Sequence, residues 1–404
     1  MNLEQMFYIY CAISTNVLKY KTMKVLISGG GPAGLTMAIA LEKKGFQTEI
    51  FESAPVLGPV GAGLAIGANA VKVIKLLGMY DDFMKTGRRM KHAQVLDYRG
   101  RVITETDEKA LGDGLTTATF TIHRADLHQL LMNHCKGRVH TASRGVFFEE
   151  KGDRIVLHLA DGSSAEGDFL VAADGIHSPL RKQVLPASRL RYSGLSCWRG
   201  VTGTIPEGIA ADRFTETWGP KGRFGIVPIG GDRLYWFATA HSAEQDPQMR
   251  AMNVKGLQQH FTAYHGQVQR VLRAAESAPV LYNTLSDLEP VSNFAFGRMA
   301  LSGDAAHATT PNLGQGACQA MEDALVLAQC LSEDPSPAGI RKYSMLRVPR
   351  TTKIVSLSWR MGKLAESQSP VLSSLRNFAL RMIPASMAEK QLKQVVDVKF
   401  PSWE

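Results

Sequence analysis

The chain has 404 residues, 45% of them apolar and 21% charged, which suits one large domain, or a large domain with a smaller insertion, and excludes global disorder. Five cysteines (Cys11, Cys135, Cys197, Cys318, Cys330) form no CxxC pair, and an odd, scattered set speaks against a disulfide scaffold and for a reducing compartment. The net charge of +9 is concentrated at the end: 12 Lys/Arg against 4 Asp/Glu from Ile340 to Glu404 leave +8 there, so the body is nearly neutral.

No apolar run approaches the ~18–20 residues of a membrane-spanning helix. There is no RNP signature, zinc-finger spacing or basic stripe interleaved with aromatics, so nucleic acid is not an expected partner. Residues 1–22 contain a short MFYIYCAI run but neither a basic n-region nor an A-x-A site. They read as a disordered or mis-assigned extension, and the fold starts at Met23.

Lys24-Val25-Leu26-Ile27-Ser28 reads as a buried strand. It runs into Gly29-Gly30-Gly31-Pro32-Ala33-Gly34, a GxGxxG through Gly29, Gly31 and Gly34, and then into a helical pattern that breaks at Gly45. A second strand, Thr48–Phe51, ends at Glu52. In this spacing the first glycine makes the tight turn, the second admits a pyrophosphate to the backbone, and the third lets helix and strand pack closely. Phosphates then sit at the helix N-terminus and the acid accepts from a ribose hydroxyl. Strand, fingerprint, helix and terminal acid together predict dinucleotide binding.

Two further signals follow. Phe169–Ala173 reads as a strand running into Asp174 and Gly175, with Ser178 and Arg181 beyond. Met299–Ser302 leads to Gly303-Asp304-Ala305-Ala306-His307, then to Pro311-Asn312-Leu313-Gly314-Gln315-Gly316 and a helix marked by Ala317, Met321, Ala324, Leu325 and Ala328. The free N–H groups at that helix start favour partial negative charge. Between these signals, Arg223–Pro228 and Leu234–Thr239 flank Gly230-Gly231-Asp232 and read as a hairpin, with Trp198, Phe214 and Trp218 nearby. Alternate side chains of such a sheet form an apolar ceiling over a ligand, although aromatic strands serve equally as core.

The ordered triple of GxGxxG, Asp-Gly-x-x-Ser-x-x-Arg (Asp174, Gly175, Ser178, Arg181) and Gly-Asp-Ala-Ala-His with Pro-x-x-Gly-Gln-Gly resembles the single-component FAD-dependent aromatic monooxygenases, the para-hydroxybenzoate hydroxylase-like group, from about Met23 to Val398. His123–Leu127, Ser193–Arg199 and the Gly303–Gly316 block are most similar to the branch of alkyl-quinolone, salicylate and urate hydroxylases and zeaxanthin epoxidase. The resemblance implies an α/β Rossmann-type FAD-binding domain with an inserted, mainly β substrate domain and C-terminal helices. It divides the chain into FAD-binding parts at 23–85, 116–190 and 288–340, a substrate-domain hairpin at 86–115, a substrate domain at 191–287 and C-terminal helices at 341–404.

By the same resemblance Gly29, Gly31, Pro32, Ala33, Gly34 and Glu52 hold the ADP half of FAD. Gly303 and Asp304 meet the ribityl or pyrophosphate side, Arg124 and Asp174 reach the cofactor, Pro311 lines the flavin, and Gly314, Gln315 and Gly316 direct a helix dipole at it. For Arg124 and Asp174 an ion pair or cap is the competing reading. Arg223 and Tyr235 fall where an Arg and a Tyr of urate hydroxylases contact flavin and substrate, and are the catalytic candidates. His307 reads as packed near the cofactor.

The implied activity is hydroxylation of an aromatic or heteroaromatic small molecule with NAD(P)H as transient reductant and O2, through a flavin C4a-hydroperoxide. An epoxidase, another flavin oxidoreductase or a non-catalytic flavoprotein are the alternatives; the Trp-x-Trp-x-Ile-Pro of halogenases is absent. No metal-ligand spacing or hydrolase motif occurs, and no metal is expected. The expected location is cytoplasmic, as a monomer or homodimer. The basic C-terminal helices read first as a cap on the substrate domain and second as a face for peripheral membrane contact.

Overall fold

In the computed structural model, which describes residues 23–56, 62–107, 119–367, 369–383, 385–400 and 403, Lys24–Ser28 lies inside a six-stranded sheet. The 1–22 extension falls outside the described residues. Lys24–Ser28 pairs in parallel with Gln47–Phe51 on one side and with Phe169–Ala172 on the other. Arg138–His140 and Met299–Leu301 extend the sheet in parallel, and Ala295–Phe296 closes one edge in the antiparallel sense. Strands buried on both faces need apolar residues at every position, and Val25, Leu26, Ile27, Leu170, Val171, Ala300 and Leu301 supply them with at most 1% exposure.

The helix Pro32–Lys43 follows the first strand. With the helix Gly316–Glu333 it packs in the large core around this sheet. Each of the three signals read from the sequence therefore leaves the C-terminal end of a neighbouring parallel strand, where α/β sheets bind ligands.

A seven-stranded sheet forms the second layer, in the order Leu281–Leu288, Leu190–Thr202, Leu234–His241, Gly222–Pro228, Arg213–Gly219, His92–Asp97, Val102–Asp107. All its pairings are antiparallel except Arg213–Gly219 with His92–Asp97. The register separates its aromatics by face. Trp198, Phe224 and Trp236 pack with Leu257, Phe261, Val268 and Leu272 from the helices Val254–His260 and Gly266–Ala274. Arg199, Arg223, Tyr235 and Phe237 point to the other face, because Arg199 pairs with Phe237, Val227 with Tyr235 and Arg223 with Thr239.

Two three-stranded sheets complete the body: Gly145–Lys151, Arg154–Leu159 and Ser164–Gly167, and Gly63–Ile66, Thr119–His123 and Arg88–Met90. The helix Pro337–Ala365 runs unbroken across residue 340 and through Pro349, and Pro370–Arg381 and Ala385–Val396 follow it.

Candidate active site

The three fingerprint glycines meet three different surroundings. Gly29 adopts φ +106°, and a Cβ there would stand 2.3 Å from the Ala173 carbonyl oxygen. At Gly34 a Cβ would stand 1.9 Å from the Gly29 oxygen, so the helix rests directly on the turn before it. At Gly31 a Cβ meets nothing within 4 Å: the chain leaves open space beside the backbone that caps the helix. Pro32 occupies the first helical turn, where its missing N–H costs nothing.

Glu52 folds back over this turn. Its Oε2 accepts from the Gly30 amide at 2.7 Å, and its Oε1 accepts from the Ala54 amide at 2.8 Å and the Ser53 hydroxyl at 3.1 Å. His128 Nε2 lies 2.8 Å from the Gly30 oxygen and braces the turn from the helix Arg124–His134.

Asp174 follows the central parallel strand. Neither of its buried carboxylate oxygens meets a donor in hydrogen-bond geometry. Burial raises its acid above the usual range, against partial relief from Ser178, backbone amides and Arg181. Ser178 instead caps the helix Pro179–Val184 through the Arg181 amide at 2.9 Å. The Arg181 side chain, fully buried, donates to the Ile176 oxygen at 2.6 Å and the Ala305 oxygen at 3.2 Å. The arginine of the second motif thus ties its own loop to the third motif.

The third motif sits against the first. Gly303, at φ +59°, would place a Cβ 2.8 Å from that of Ala33. Asp304 is exposed, and loss of water around its carboxyl raises it; the charges of His307 and Arg124 offset part of the rise. Arg124 itself is exposed, at the start of its helix. A Cβ on Gly316 would lie 4.0 Å from Asp304 Oδ1, so the carboxylate stands beside the N-terminus of the helix Gly316–Glu333. Pro311–Leu313 form one exposed-to-half-buried 3-10 turn, closed by Gly314 in the left-handed region.

Gln315 goes elsewhere. Its buried carboxamide oxygen accepts from Asn69 at 2.9 Å and Gln319 at 3.0 Å, so that oxygen is already engaged within the protein. His307 is also engaged inside the protein, with Nε2 2.7 Å from Asp323 Oδ2. Asp323 Oδ2 further accepts from the Gly303 amide at 2.9 Å, and its Oδ1 accepts from Arg347 at 2.7 Å. Arg347 and Arg350 both donate to Glu322 at 2.6 Å. Glu322, Asp323 and Arg347, all buried, fasten the C-terminal helix to the glycine of the third motif. The adjacent acids Glu322 and Asp323, set among the apolar positions of this helix, are the one sequence signal that could have pointed to this network.

Across from the turn lies the face of the seven-stranded sheet opposite the helices Val254–His260 and Gly266–Ala274. Arg223 is 5% exposed and reaches the turn directly, with Nη2 donating to Asn312 Oδ1 at 2.8 Å. The same guanidinium contacts Glu216 at 3.1 Å and Glu366 at 2.9 Å, while its Nε stays unpartnered. Burial raises the Glu366 carboxyl above its ordinary range, and Arg223 offsets part of that rise.

Tyr235 lies on the neighbouring strand, opposite Val227 and four residues along from the Arg223–Thr239 pair; it packs with Ala62, Val227 and Ile229, and a Cβ on Gly63 would stand 2.5 Å from its ring. Burial holds its hydroxyl well above the usual range, so it stays protonated, although the Arg199 charge pulls the other way. Arg199, in the Ser193–Arg199 segment, shares this face with Tyr235 and Phe237. The strand register places it there.

Residues 22–358 match the FAD binding domain family. The chain belongs to that family. The aurachin C monooxygenase/isomerase of Stigmatella aurantiaca is 35% identical over 377 residues, covering 92% of this chain and 97% of that protein. The FAD-dependent urate hydroxylase of Klebsiella oxytoca is 34% identical over 342 residues, covering 82% and 88%. A crystal structure of Klebsiella pneumoniae HpxO complexed with FAD and uric acid superposes with a TM-score of 0.86 at 29% identity, covering 93% of this chain and 96% of that one. The protein is an FAD-dependent monooxygenase.

The residues present fit FAD. Open space at Gly31 suits a pyrophosphate against the backbone, and Glu52 keeps acceptor capacity for a ribose beside its amide contacts. The unpartnered Asp174 oxygens suit hydroxyl donors. The helix N-terminus at Gly316 suits the electron-rich edge of a flavin.

Proposed function

We propose that this FAD-dependent monooxygenase uses NAD(P)H and O2 to hydroxylate an aromatic or heteroaromatic small molecule. The ring would lie between the Pro311–Leu313 turn and the sheet face of Arg199, Arg223, Tyr235 and Phe237. One observation carries the reading: the 2.8 Å bond from Arg223 to Asn312 joins that sheet face to the turn beside the cofactor-binding elements. The names of the relatives, urate hydroxylase and aurachin C monooxygenase among them, support a heteroaromatic ring.

FAD, when bound, supplies the redox and oxygen chemistry. The protein's part is to hold it, orient the ring and exclude water. Gly31, Glu52 and Asp304 bind the cofactor in this reading. The fingers of the sheet divide the remaining work. Tyr235 stays protonated and offers a hydroxyl, and Arg199 beside it offers a cation to a polar ring substituent. Arg223, its Nη atoms engaged by Glu216, Glu366 and Asn312, acts as a positioning residue that fixes the turn. Phe237, lying over Gly225, forms part of the apolar wall.

The test is NADH and NADPH oxidation by FAD-loaded protein under air with phenols, quinolones and purines. The expected result is a substrate that accelerates oxidation, suppresses H2O2 release and gains one oxygen atom. Oxidation that no ring accelerates, with all electrons recovered as H2O2, overturns the assignment.

A further inference from the structure

The helix Pro370–Arg381 is amphipathic and turns an apolar stripe to solvent. Its inner side packs Leu380 with Ile103, Trp218 and Ala365, and sets the Arg376 guanidinium over the Trp218 ring at 4.8 Å. Its outer side carries Val371, Leu375, Phe378 and Met382, spaced at three or four residues and 76, 63, 61 and 68% exposed, with Leu372 beside them at 59%. Scattered apolar side chains on a surface need no explanation, but five on one helix face form a patch. Met387, 55% exposed, continues it into the helix Ala385–Val396.

Charge selects the occupant. From Ser367 to Val396 the chain has 4 Lys/Arg and 1 acid (Glu389); with Arg376 turned inward over Trp218, Arg381, Lys390 and Lys393 remain against Glu389, a net +2. A second copy of the chain would bring the same positive face against this one. An anionic bilayer complements both features: its interface takes the apolar stripe and its headgroups take the cations. No helix among the described residues is long and apolar enough to cross a membrane, so the stripe lies on the surface rather than through it.

Position adds a consequence. Glu366, which contacts Arg223, lies just before this helix in the chain, and the helix closes over Trp218 and the hairpin strand Val102–Asp107. We propose that the outward face of Pro370–Arg381, extended by Met387, docks the protein peripherally on an anionic lipid surface. The inference stands independently of the substrate assignment.

The test is co-sedimentation of the FAD-loaded full chain with phosphatidylcholine vesicles, with and without about a third phosphatidylglycerol. Wild type is expected to bind the mixed vesicles, to release as salt rises, and to bind pure phosphatidylcholine far less. Leu375→Ser with Phe378→Ser is expected to lose binding at least tenfold, and Lys390→Gln about fivefold, since each charge near such a surface contributes about that factor. Unchanged FAD content and melting temperature in these variants separate docking from folding. Wild type that ignores anionic vesicles overturns the proposal. So does a wild-type dimer that the double serine variant converts to monomer, since the stripe would then be an interface between copies.

Discussion

Arg347 donates to Asp323 across 2.7 Å with both side chains buried, and the opposite oxygen of the same carboxylate takes His307 at 2.7 Å. One acid thereby joins the third cofactor motif to a helix that begins after it in the chain. Burial alone would raise this acid, but His307 and Arg347 outweigh it and hold the carboxyl well below the usual range.

Breaking the network from either side should therefore be costly. Removing one partner of a buried pair leaves an uncompensated charge, worth about 3–5 kcal/mol. Arg347→Met is expected to destabilise by that amount, and Asp323→Asn by a similar one. Because the folded-state acid is depressed, Asp323 contributes stability above its unfolded value of about 3.9 and loses it as pH falls below that. The acid limb of a melting-temperature profile should flatten in Asp323→Asn; a variant with the wild-type slope refutes the account.

Gly31 and Gly34 separate cofactor binding from folding. Gly34→Ala drives a methyl to 1.9 Å from the Gly29 oxygen, and should destabilise the apoprotein by roughly 1–3 kcal/mol or more. Gly31→Ala meets no protein atom within 4 Å, so the apoprotein should melt like wild type while FAD affinity falls at least tenfold, on the order of 1.4 kcal/mol. Differential scanning fluorimetry of apoprotein and flavin-fluorescence titration read the two effects apart. Equal FAD affinity in wild type and Gly31→Ala would place the phosphates elsewhere.

The first of these sites was legible in the sequence because its parts are local. Strand, turn, helix and Glu52 fall within 29 residues, Lys24 to Glu52, and Gly34 and Gly30 answer to Gly29 and Glu52 inside that unit, although Gly29 is pressed by Ala173 at the end of a distant strand. The Arg223 cluster was legible only as a candidate arginine. Its partners Glu216, Asn312 and Glu366 come from a neighbouring strand, a distant turn and the end of a long helix, and no spacing rule connects them. Gln315 shows the converse. It belongs to a cofactor motif by position, yet its side chain turns inward to Asn69 and Gln319, which local pattern does not reveal.

Arg223 stands between two carboxylates, and its loss should show a pH signature. Burial raises Glu366, and Arg223 is its leading counterweight. In Arg223→Gln the two glutamates face each other without that cation, which should cost about 3–5 kcal/mol at pH 8. For an acid raised in the folded state the penalty is present above its folded pKa and relieved as pH falls through it. The deficit against wild type should shrink at pH 5.5. Thermal unfolding at both values is the check, and a deficit that grows on acidification contradicts it.

Tyr235 and Arg199 face the same side of the sheet, and their roles divide by kinetics. Tyr235→Phe retains the ring packed against Ala62 and Gly63 and removes only the hydroxyl, so folding should change by less than about 1.5 kcal/mol. If the hydroxyl meets the substrate, kcat/KM falls by roughly tenfold, and H2O2 release rises as coupling weakens. Arg199→Gln should raise KM more than it lowers kcat. Steady-state rates with product quantified beside H2O2 distinguish these outcomes, and a Tyr235→Phe enzyme with wild-type coupling removes the hydroxyl from the reaction.

Asp174 offers the most direct test of what the cofactor brings. Both its oxygens are buried without a partner, and burial pushes the acid upward. A buried polar group in that condition destabilises the apoprotein, so Asp174→Asn, which removes the charge at almost constant volume, should make the apoprotein more stable by about 1–2 kcal/mol. If those oxygens accept hydroxyls of FAD, the same change should reduce the stabilisation that FAD confers, because ligand that binds the folded state raises stability in proportion to its affinity. The expected pattern is crossed: apo melting temperature up, and the increment on adding FAD down. An increment equal to that of wild type would assign Asp174 to the protein interior alone, and would leave Glu52, Asp304 and the Gly316 helix end to hold the cofactor.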